Sequence, residues 1–300
     1  YLATDSGLHG DGVSSFAYSR HQSLSDDYAK YARKRIASGK AETLHTSQIA
    51  ATEWPLFGSC FYLWATEALQ EEWEKDPSLS KRAPKVYALS AIEAAKDLVL
   101  DPGHAKWVKD HWGDSYMTRE NLFYRMLIIS AIVSHHNLTG SEEHFDLLRD
   151  QSDRLMKEID ASPHGILDDY PSQCYPTDVV AAISAIQKAD KVLGEDHSVM
   201  IKRSIRAVSG YMAGPYGLPA YAADTPTGQR FDDSRGCGNS YFTTFGPVVW
   251  PEQDPGWYDA YAENFWQEDW FAAGFREFPH GTSDEYYMDV DAGPVFGGMG

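Results

Sequence analysis

The sequence is short of cysteine, of basic residues and of long hydrophobic runs, and each shortage argues against a class of protein. Its 300 residues include three widely spaced cysteines, Cys60, Cys174 and Cys237, which form neither a disulfide framework nor a Cys-x-x-Cys metal knuckle. The 26 basic residues face 44 acidic ones, and the net charge of -18 argues against a nucleic-acid partner. No apolar run approaches the length of a bilayer span, so we expect no membrane-spanning segment.

The common signatures of cofactor and metal sites are missing as well. The chain has no Gly-rich phosphate loop, no Ser nucleophile elbow, no dinucleotide fingerprint and no His-Glu-x-x-His motif. The adjacent His135 and His136 would point about 100° apart on a helix, which makes them poor joint ligands. Asp289 and Asp291 could bind a hard cation, but they lack the spacing of a calcium loop. We therefore expect neither a cofactor nor a metal site.

Aromatic residues, in contrast, are abundant, with 9 Trp, 18 Tyr and 13 Phe. Many stand beside Gly, Pro or Asp in presumed loops, as in the stretch Asp254–Tyr261. Aromatic side chains at loop ends line clefts for apolar or sugar-like ligands, although they also cover helix ends in a core. The expected partner is a small-molecule or oligosaccharide substrate, and formation of a homo-oligomer stays open.

Nearly every long periodic segment predicts a helix, and segments that are apolar all round alternate with amphipathic ones. The predicted helices cover 23–37, 54–73, 84–100, 120–136, 142–159, 177–193, 197–212, 241–250 and 257–275, and a further apolar run begins at Gly293. The segment 211–233 alternates apolar and polar residues and predicts a short hairpin or a long functional loop.

The alternation predicts an all-α fold, an (α/α)6 toroid whose inner helices touch neighbours all round and whose outer helices keep a wet face. A helical bundle or a superhelical stack is the alternative, and the lack of a fixed sequence period argues against the stack. We count about ten helices, the last of them cut, against about twelve in a toroid of six hairpins. Residues 1–300 are therefore expected to form a single (α/α) barrel domain that is incomplete at the C-terminus of this chain.

Polar residues gather at the start of each buried helix. In a toroid, the N-termini of the inner helices would converge at one opening, so these residues would lie around it. The candidates are Glu53, Trp54, Glu120, Tyr124, Asp168, Asp169, Tyr170, Cys174, Asp233, Cys237, Tyr287, Asp289 and Asp291. Helix capping explains any one of them, but a cap needs one short polar residue rather than a Tyr, a Cys and two Asp in one loop. Carboxylates that face one cleft repel each other, so at least one should have a raised pKa, and an acid/base pair becomes available.

The stretch GILDDYPSQCYPTD, residues 165–178, carries the predicted catalytic groups. Asp168 or Asp169 would be an acid held neutral, and Asp289 or Asp291 would be the second carboxylate. Cys174 is either a catalytic thiol or a small buried core residue, since no histidine stands in its loop. The remaining candidates are expected to bind and orient the substrate.

Five short motifs follow one another along most of the chain. They are WGD at 112–114, ENLFY at 120–124, LTG at 138–140, GIL…QC over 165–174 and RE…GTSDEYYMDVDAGP over 276–294. Together they resemble the linalool dehydratase/isomerase family, more loosely before residue 85. The resemblance implies an (α/α)6 toroid without a cofactor. It also implies a reaction in which a tertiary terpene alcohol is protonated, loses water or is isomerised.

The resemblance also implies where the family's acid/base groups fall. Cys174 matches the second family cysteine, the first falls at Asp168 or Asp169, and the family histidine falls between Glu120 and Leu127, where this chain has none. Three functions therefore stay open: an acid/base lyase or isomerase acting on an alcohol, an (α/α)6 glycoside hydrolase with paired carboxylates, and a non-catalytic ligand-binding toroid. The resemblance favours the first of these, and the loop Asp, Trp and Tyr residues favour the second.

Overall fold

The computed structural model is mostly helical, which confirms the all-α prediction. It describes residues 12–212, 214–250, 256–268, 273–282, 287–289 and 293–295. The chain divides into two compact units, Tyr1–Asp110 with Leu127–Leu148, and His111–Met126 with Arg149–Gly300. The toroid remains a prediction. None of the helices in the described part of the chain combines the length and the apolar character needed to cross a membrane.

Twelve α-helices and six short strands make up the regular structure of the described residues. The helices are α1 (Ser15–Ser38), α2 (Ile49–Thr52), α3 (Trp54–Lys75), α4 (Pro84–Tyr87), α5 (Leu89–Leu100), α6 (Lys106–Trp112), α7 (Leu122–Thr139), α8 (Phe145–Ala161), α9 (Pro176–Leu193), α10 (Ser198–Val208), α11 (Gly236–Val249) and α12 (Trp257–Phe265). The strands form three antiparallel pairs, β1 (Ala222–Ala223) with β2 (Arg230–Asp232), β3 (Trp266–Glu268) with β4 (Ala273–Phe275), and β5 (Tyr287–Asp289) with β6 (Gly293–Val295).

The first unit is built on α1, α3 and α5, which pack against one another. Helix α3 has Pro55 in its first turn, where the missing N–H costs no hydrogen bond. Its buried face includes Leu56, Cys60 and Leu63, spaced at i, i+4 and i+7. The predicted helix over 84–100 is divided at Ala88 into α4 and α5.

A hydrogen-bonded network lies inside this apolar core. The buried His21 ring contacts the Tyr87 hydroxyl through Nδ1 (2.9 Å) and the Thr66 hydroxyl through Nε2 (3.0 Å). Because the Thr66 hydroxyl donates to the Tyr62 carbonyl, it must accept from the ring, and we infer that Nε2 carries the proton. Burial lowers the pKa of His21 to about 4, so the ring is neutral at neutral pH.

The second unit is centred on α9 and α11, which lie side by side. Their first turns meet, since a Cβ added at Gly238 would lie 3.8 Å from Thr177 Cγ2. Gly236 is required where α11 begins, because a Cβ there would come within 2.0 Å of the Arg276 carbonyl oxygen. The apolar and Ala-rich sequence of α9 fits this position, since small side chains let two helices approach closely.

The region 211–233 contains the predicted hairpin, and two predictions nearer the C-terminus are wrong. The helix predicted over 257–275 ends at Phe265, where the chain turns into the β3–β4 pair. The Trp266 ring packs edge-on against Phe275 across this pair (5.1 Å between centroids), a contact that stabilises strands. The apolar run from Gly293 begins β6 rather than a helix, and its glycine and proline disfavour a helix interior.

Candidate acid/base site

The stretch 165–178 forms a tight loop after α8 together with the first turn of α9, and we call it the loop 165–178. It opens at Gly165, whose φ of 68° is left-handed. A Cβ at this position would come 2.6 Å from Ala207 Cβ, so only glycine fits. The Gln173 amide then donates to the Tyr170 carbonyl (2.8 Å) and closes a turn. The loop folds back on itself here, so its aspartates and its cysteine lie close together.

Asp168 ties this loop to other parts of the second unit. Its Oδ2 accepts from the Ser172 amide (2.8 Å), and its Oδ1 accepts from the Thr225 hydroxyl of the β1–β2 hairpin. Its backbone carbonyl accepts from the Leu122 amide at the start of α7 (3.1 Å). Because both carboxylate oxygens are engaged, Asp168 acts as a structural anchor, and its catalytic role stays a prediction.

Asp169 is the most deeply buried carboxyl group of the loop, with 1% of its surface exposed. Its Oδ2 accepts from the Tyr175 amide (2.9 Å), whereas Oδ1 is buried without a hydrogen bond of ordinary geometry. Burial and then the charge of Asp178 raise the pKa of Asp169 well above its usual range, with a smaller contribution from Asp168. The amides of Tyr175 and Phe123 oppose this shift only in part. The group is therefore suited to hold a proton where an ordinary aspartate is charged.

Cys174 lies beside these carboxyl groups and is fully buried. Burial, followed by the charges of Asp169 and Asp168, raises the pKa of the thiol well above its usual range. A neutral thiol is a poor nucleophile, because the thiolate is the reactive form. This environment favours the interpretation of Cys174 as a core residue, and a catalytic Cys174 would have to act by proton donation.

The predicted residues Glu120 and Tyr124 lie where α7 begins, next to the loop. Burial and then the charge of Asp168 raise the pKa of Glu120. Tyr124 is buried, and its ring centroid lies 6.0 Å from that of Tyr116. A second carboxyl group with a raised pKa is thus present near Asp168.

Four partly exposed rings extend along the loop, and we call them the aromatic row: His111, Tyr170, Tyr175 and Tyr221. Successive ring centroids are 5.7, 6.5 and 5.2 Å apart, each pair edge to face. The Arg235 guanidinium lies 4.5 Å from the centroid of Tyr221, at one end of the row. The row is thus a run of rings with one cation at its end, and two of its members, Tyr170 and Tyr175, belong to the same loop as the buried carboxyl groups.

The start of α11 contributes a thiol and a second buried carboxylate. Both the amide and the thiol of Cys237 donate to the Glu277 carboxylate, at 3.0 and 3.3 Å. Glu277 is 2% exposed, and its backbone carbonyl accepts from the Gly236 amide (2.8 Å). Asp233, in contrast, is exposed to solvent. Cys237 is therefore fixed in the first turn of α11 by Glu277.

The other predicted site residues lie elsewhere. Glu53 is 9% exposed and precedes Trp54, the first residue of α3 in the first unit, so their proximity to Asp169 stays a prediction. Tyr287 and Asp289 are described only as backbone positions on β5, and Asp291 lies outside the described residues. The structure thus brings together the candidates around the loop 165–178 and leaves the proposed partnership with Asp289 or Asp291 untested.

A cluster of possible metal ligands that the sequence reasoning missed lies between α9 and α10. Ligand atoms of Asp190, Glu195 and His197 lie within 4.8 Å of one another. Both oxygens of Asp190 accept from His197, one from its amide (2.9 Å) and one from Nδ1 (2.6 Å), while Glu195 accepts from Arg149 (2.7 Å). These bonds link the end of α9 to the start of α10, so the cluster is explained by its protein partners.

Several residues of the site were not predicted. Asp178 lies inside the stretch 165–178. A carboxylate in the first turn of a helix is ordinarily explained by its favourable interaction with the helix dipole, so Asp178 was not singled out. His111, Thr225 and Glu277 come from distant segments, and no local pattern marks them. Only the charge repulsion expected among neighbouring carboxylates could have pointed to Asp178.

Comparison with known proteins adds no assignment to this geometry. No protein-family model matches the sequence, and a search of curated proteins finds no similar sequence.

Proposed function

We propose that the loop 165–178 is the acid/base centre of a cofactor-independent lyase or isomerase that acts on an alcohol. The observation that carries the proposal is the buried Asp169 carboxyl group, whose Oδ1 has no hydrogen bond of ordinary geometry and whose pKa is raised by burial and by Asp178. A buried carboxyl group whose neutral form is favoured in this way is suited to donate a proton. The resemblance to the linalool dehydratase/isomerase family supports the same chemistry.

In the proposed reaction, Asp169 and Asp178 form a pair that holds one proton. Asp178 is half-buried, so it is the member of the pair that a substrate can reach. The pair protonates the substrate hydroxyl, the C–O bond breaks, and water leaves with the bonding electrons. The pair then removes a proton from the carbon next to the cation, and the C–H electrons form the alkene. If water instead adds at the other end of an allylic cation, its oxygen lone pair forms the new C–O bond, and the extra proton returns to the pair to leave the isomerised alcohol.

The aromatic row supports this proposal because the intermediate is a cation. Ring faces attract a cation through the quadrupole of the π system. Tyr170 is next to Asp169 in the chain, and the Tyr175 amide donates to Asp169 Oδ2, so the backbone of two residues of the row adjoins the carboxyl group. Cys174 would serve as an apolar wall beside the pair.

The second candidate function is glycoside hydrolysis, and the aromatic row is the observation that favours it. Partly exposed rings next to carboxyl groups form the platform on which sugars stack. Paired carboxyl groups about 5–10 Å apart perform this reaction as acid and nucleophile or base. Asp169 would be the acid, and Asp178 or Glu120 would be the second group.

The experiment is a screen of terpene alcohols and oligosaccharides with mass-spectrometric detection of products. The unaltered protein is compared with Asp169→Asn, and with Asp196→Asn as a control, since Asp196 is exposed and accepts a hydrogen bond from the Ser198 amide at the start of α10. We expect loss of water from, or isomerisation of, an alcohol by the unaltered protein and by the control. Shortened oligosaccharides would support the hydrolase instead. Ligand binding without turnover in any sample would make the site a binding site.

A further inference from the structure

A strained turn precedes α7, and it lies directly beside the candidate site. Glu120 and Asn121 have φ values of 40° and 52°, in the left-handed region that side-chain-bearing residues rarely adopt. Such a conformation persists only where the surroundings hold it in place. The two residues next in the chain, Leu122 and Phe123, are the ones whose amides face the aspartates of the loop.

One ion pair holds both backbone groups of Glu120. The Glu158 carboxylate accepts from the Glu120 amide (2.7 Å), and Arg125 Nη1 donates to the Glu120 carbonyl (3.1 Å). Arg125 Nη1 also donates to both oxygens of Glu158, at 3.0 Å each. The amide, the carbonyl, the carboxylate and the guanidinium therefore form a closed set of hydrogen bonds around one residue.

The Arg125 guanidinium is also held through its Nε atom. Arg125 is fully buried, and its Nε donates to Gln151 Oε1 (2.9 Å). The Gln151 amide group donates in turn to the Met117 carbonyl (3.0 Å), which belongs to the segment leading to the turn. Burial of a charged side chain is costly unless it is paired and hydrogen-bonded. The cost of burying Arg125 is therefore explained if its hydrogen bonds hold the turn at Glu120 and Asn121.

The turn connects this ion pair to the site within three residues of Glu120. The Leu122 amide donates to the Asp168 carbonyl (3.1 Å), and the Phe123 amide favours the charged form of Asp169. The strained residues thus set the position at which the first N–H groups of α7 meet the loop. A shift of this turn would move both amides away from the aspartates.

We propose that Arg125 and Glu158 are positioning residues that hold the N-terminus of α7 against Asp168 and Asp169. They act through the Glu120 backbone and not on a substrate, because Arg125 is fully buried. The proposal deepens the proposed function, since it concerns the same site. Its test needs no substrate, so the two proposals fail independently of each other.

The test compares Glu158→Gln with Asp160→Asn. Asp160 lies on the same helix, α8, and is also a carboxylate paired with an arginine, Arg203 (2.7 Å), but it has no contact with Glu120 among the contacts described. Two quantities are measured by NMR: hydrogen exchange of the Leu122 amide, and the pH titration of a 13C-labelled Asp169 carboxyl group. Thermal unfolding of each variant reports whether it folds.

For Glu158→Gln, we expect the Leu122 amide to exchange at least about tenfold faster. We also expect the pKa of Asp169 to rise further, because the Phe123 amide, which favours the charged form of the carboxyl group, moves away from it. Asp160→Asn should leave both quantities as they are in the unaltered protein. A purely structural role would lower the unfolding temperature of Glu158→Gln without moving the Asp169 titration, and that result would overturn the proposal.

Arg125→Lys is the second variant, since lysine keeps the charge but cannot bond Gln151, Glu120 and Glu158 together. The unaltered protein provides a test that needs no variant. If the ion pair holds the turn, the amides of Glu120 and Leu122 should open together, with the same opening free energy in native-state exchange. A Leu122 amide that exchanges far faster than the Glu120 amide would overturn the proposal.

Discussion

Asp168 and Asp169 are adjacent in the chain, yet their carboxyl groups have different partners. Both oxygens of Asp168 accept hydrogen bonds, from the Ser172 amide and the Thr225 hydroxyl. Asp169 accepts one, from the Tyr175 amide, and its Oδ1 is buried without a partner of ordinary geometry. The structure therefore separates two residues that the sequence could not rank, and it makes Asp169 the better candidate for the proton donor.

Replacing Asp169 by asparagine should abolish most of the activity and leave the fold intact. Asparagine has the same shape and can still accept from the Tyr175 amide, but it carries no transferable proton. Loss of a general acid lowers turnover by at least about 100-fold. Turnover is measured on the substrate found by the screen, with unfolding temperature as the check on folding. A rate equal to that of Asp196→Asn would remove Asp169 from the mechanism.

The same variant should change how stability depends on pH. The pKa of Asp169 is raised in the folded state, so its favourable contribution is complete below the unfolded pKa and is lost as pH rises through the folded pKa. The asparagine side chain of the variant does not ionise. The stability of Asp169→Asn relative to the unaltered protein should therefore increase as pH rises, as measured by urea unfolding across a pH series. A difference that is constant with pH would show that Asp169 ionises normally in the fold.

Replacing Asp168 by alanine should destabilise the second unit, because it frees the Ser172 amide and the Thr225 hydroxyl together. Hydrogen bonds to a charged group contribute about 1.5–3 kcal/mol each. We expect a loss of at least about 2 kcal/mol in urea unfolding. Thr225→Val, which removes only one of the two bonds, is the matched comparison and should cost less. Equal losses would mean that the hairpin contact alone matters.

His21 should make the protein sensitive to acid. Its folded-state pKa is about 4, against 6.5 for an ordinary histidine, so the unfolded state binds a proton at a pH where the folded state does not. Stability should be unaffected by His21 above pH 6.5 and fall by up to about 3 kcal/mol as pH drops toward 4. His21→Gln should lack this part of the pH dependence in urea unfolding, although it is less stable at neutral pH. His45→Gln, at an exposed position, should keep it.

The three cysteines should differ in reactivity. Burial raises the pKa of the Cys60 thiol, and burial with nearby carboxylates raises that of Cys174, so neither should react with iodoacetamide in the native protein. Cys237 is partly exposed and should be labelled first. Peptide mass spectrometry before and after unfolding in urea measures each site. Native labelling of Cys174 ahead of Cys237 would contradict the buried environment described for its thiol.

Local sequence patterns predicted the helices well where the apolar periodicity extends over many residues. The start of α3 at Trp54, the end of α9 at Leu193 and the hairpin within 211–233 follow from proline placement, apolar periodicity and turn residues. The pattern failed after Phe265, where aromatic residues fit a helix or a strand equally well. There the contact between Trp266 and Phe275, which face each other across the β3–β4 pair, decides in favour of strands.

The sequence by itself determined the helical class, the acidic surface charge and the crowding of carboxyl groups into one loop, since each of these depends on composition and short-range spacing. Only the tertiary structure decided which aspartate is buried, which is anchored by Thr225, and that Glu120 is held by Arg125 and Glu158. The physical reason is that a pKa depends on burial and on charges brought close by folding, and residues far apart in the chain supply both.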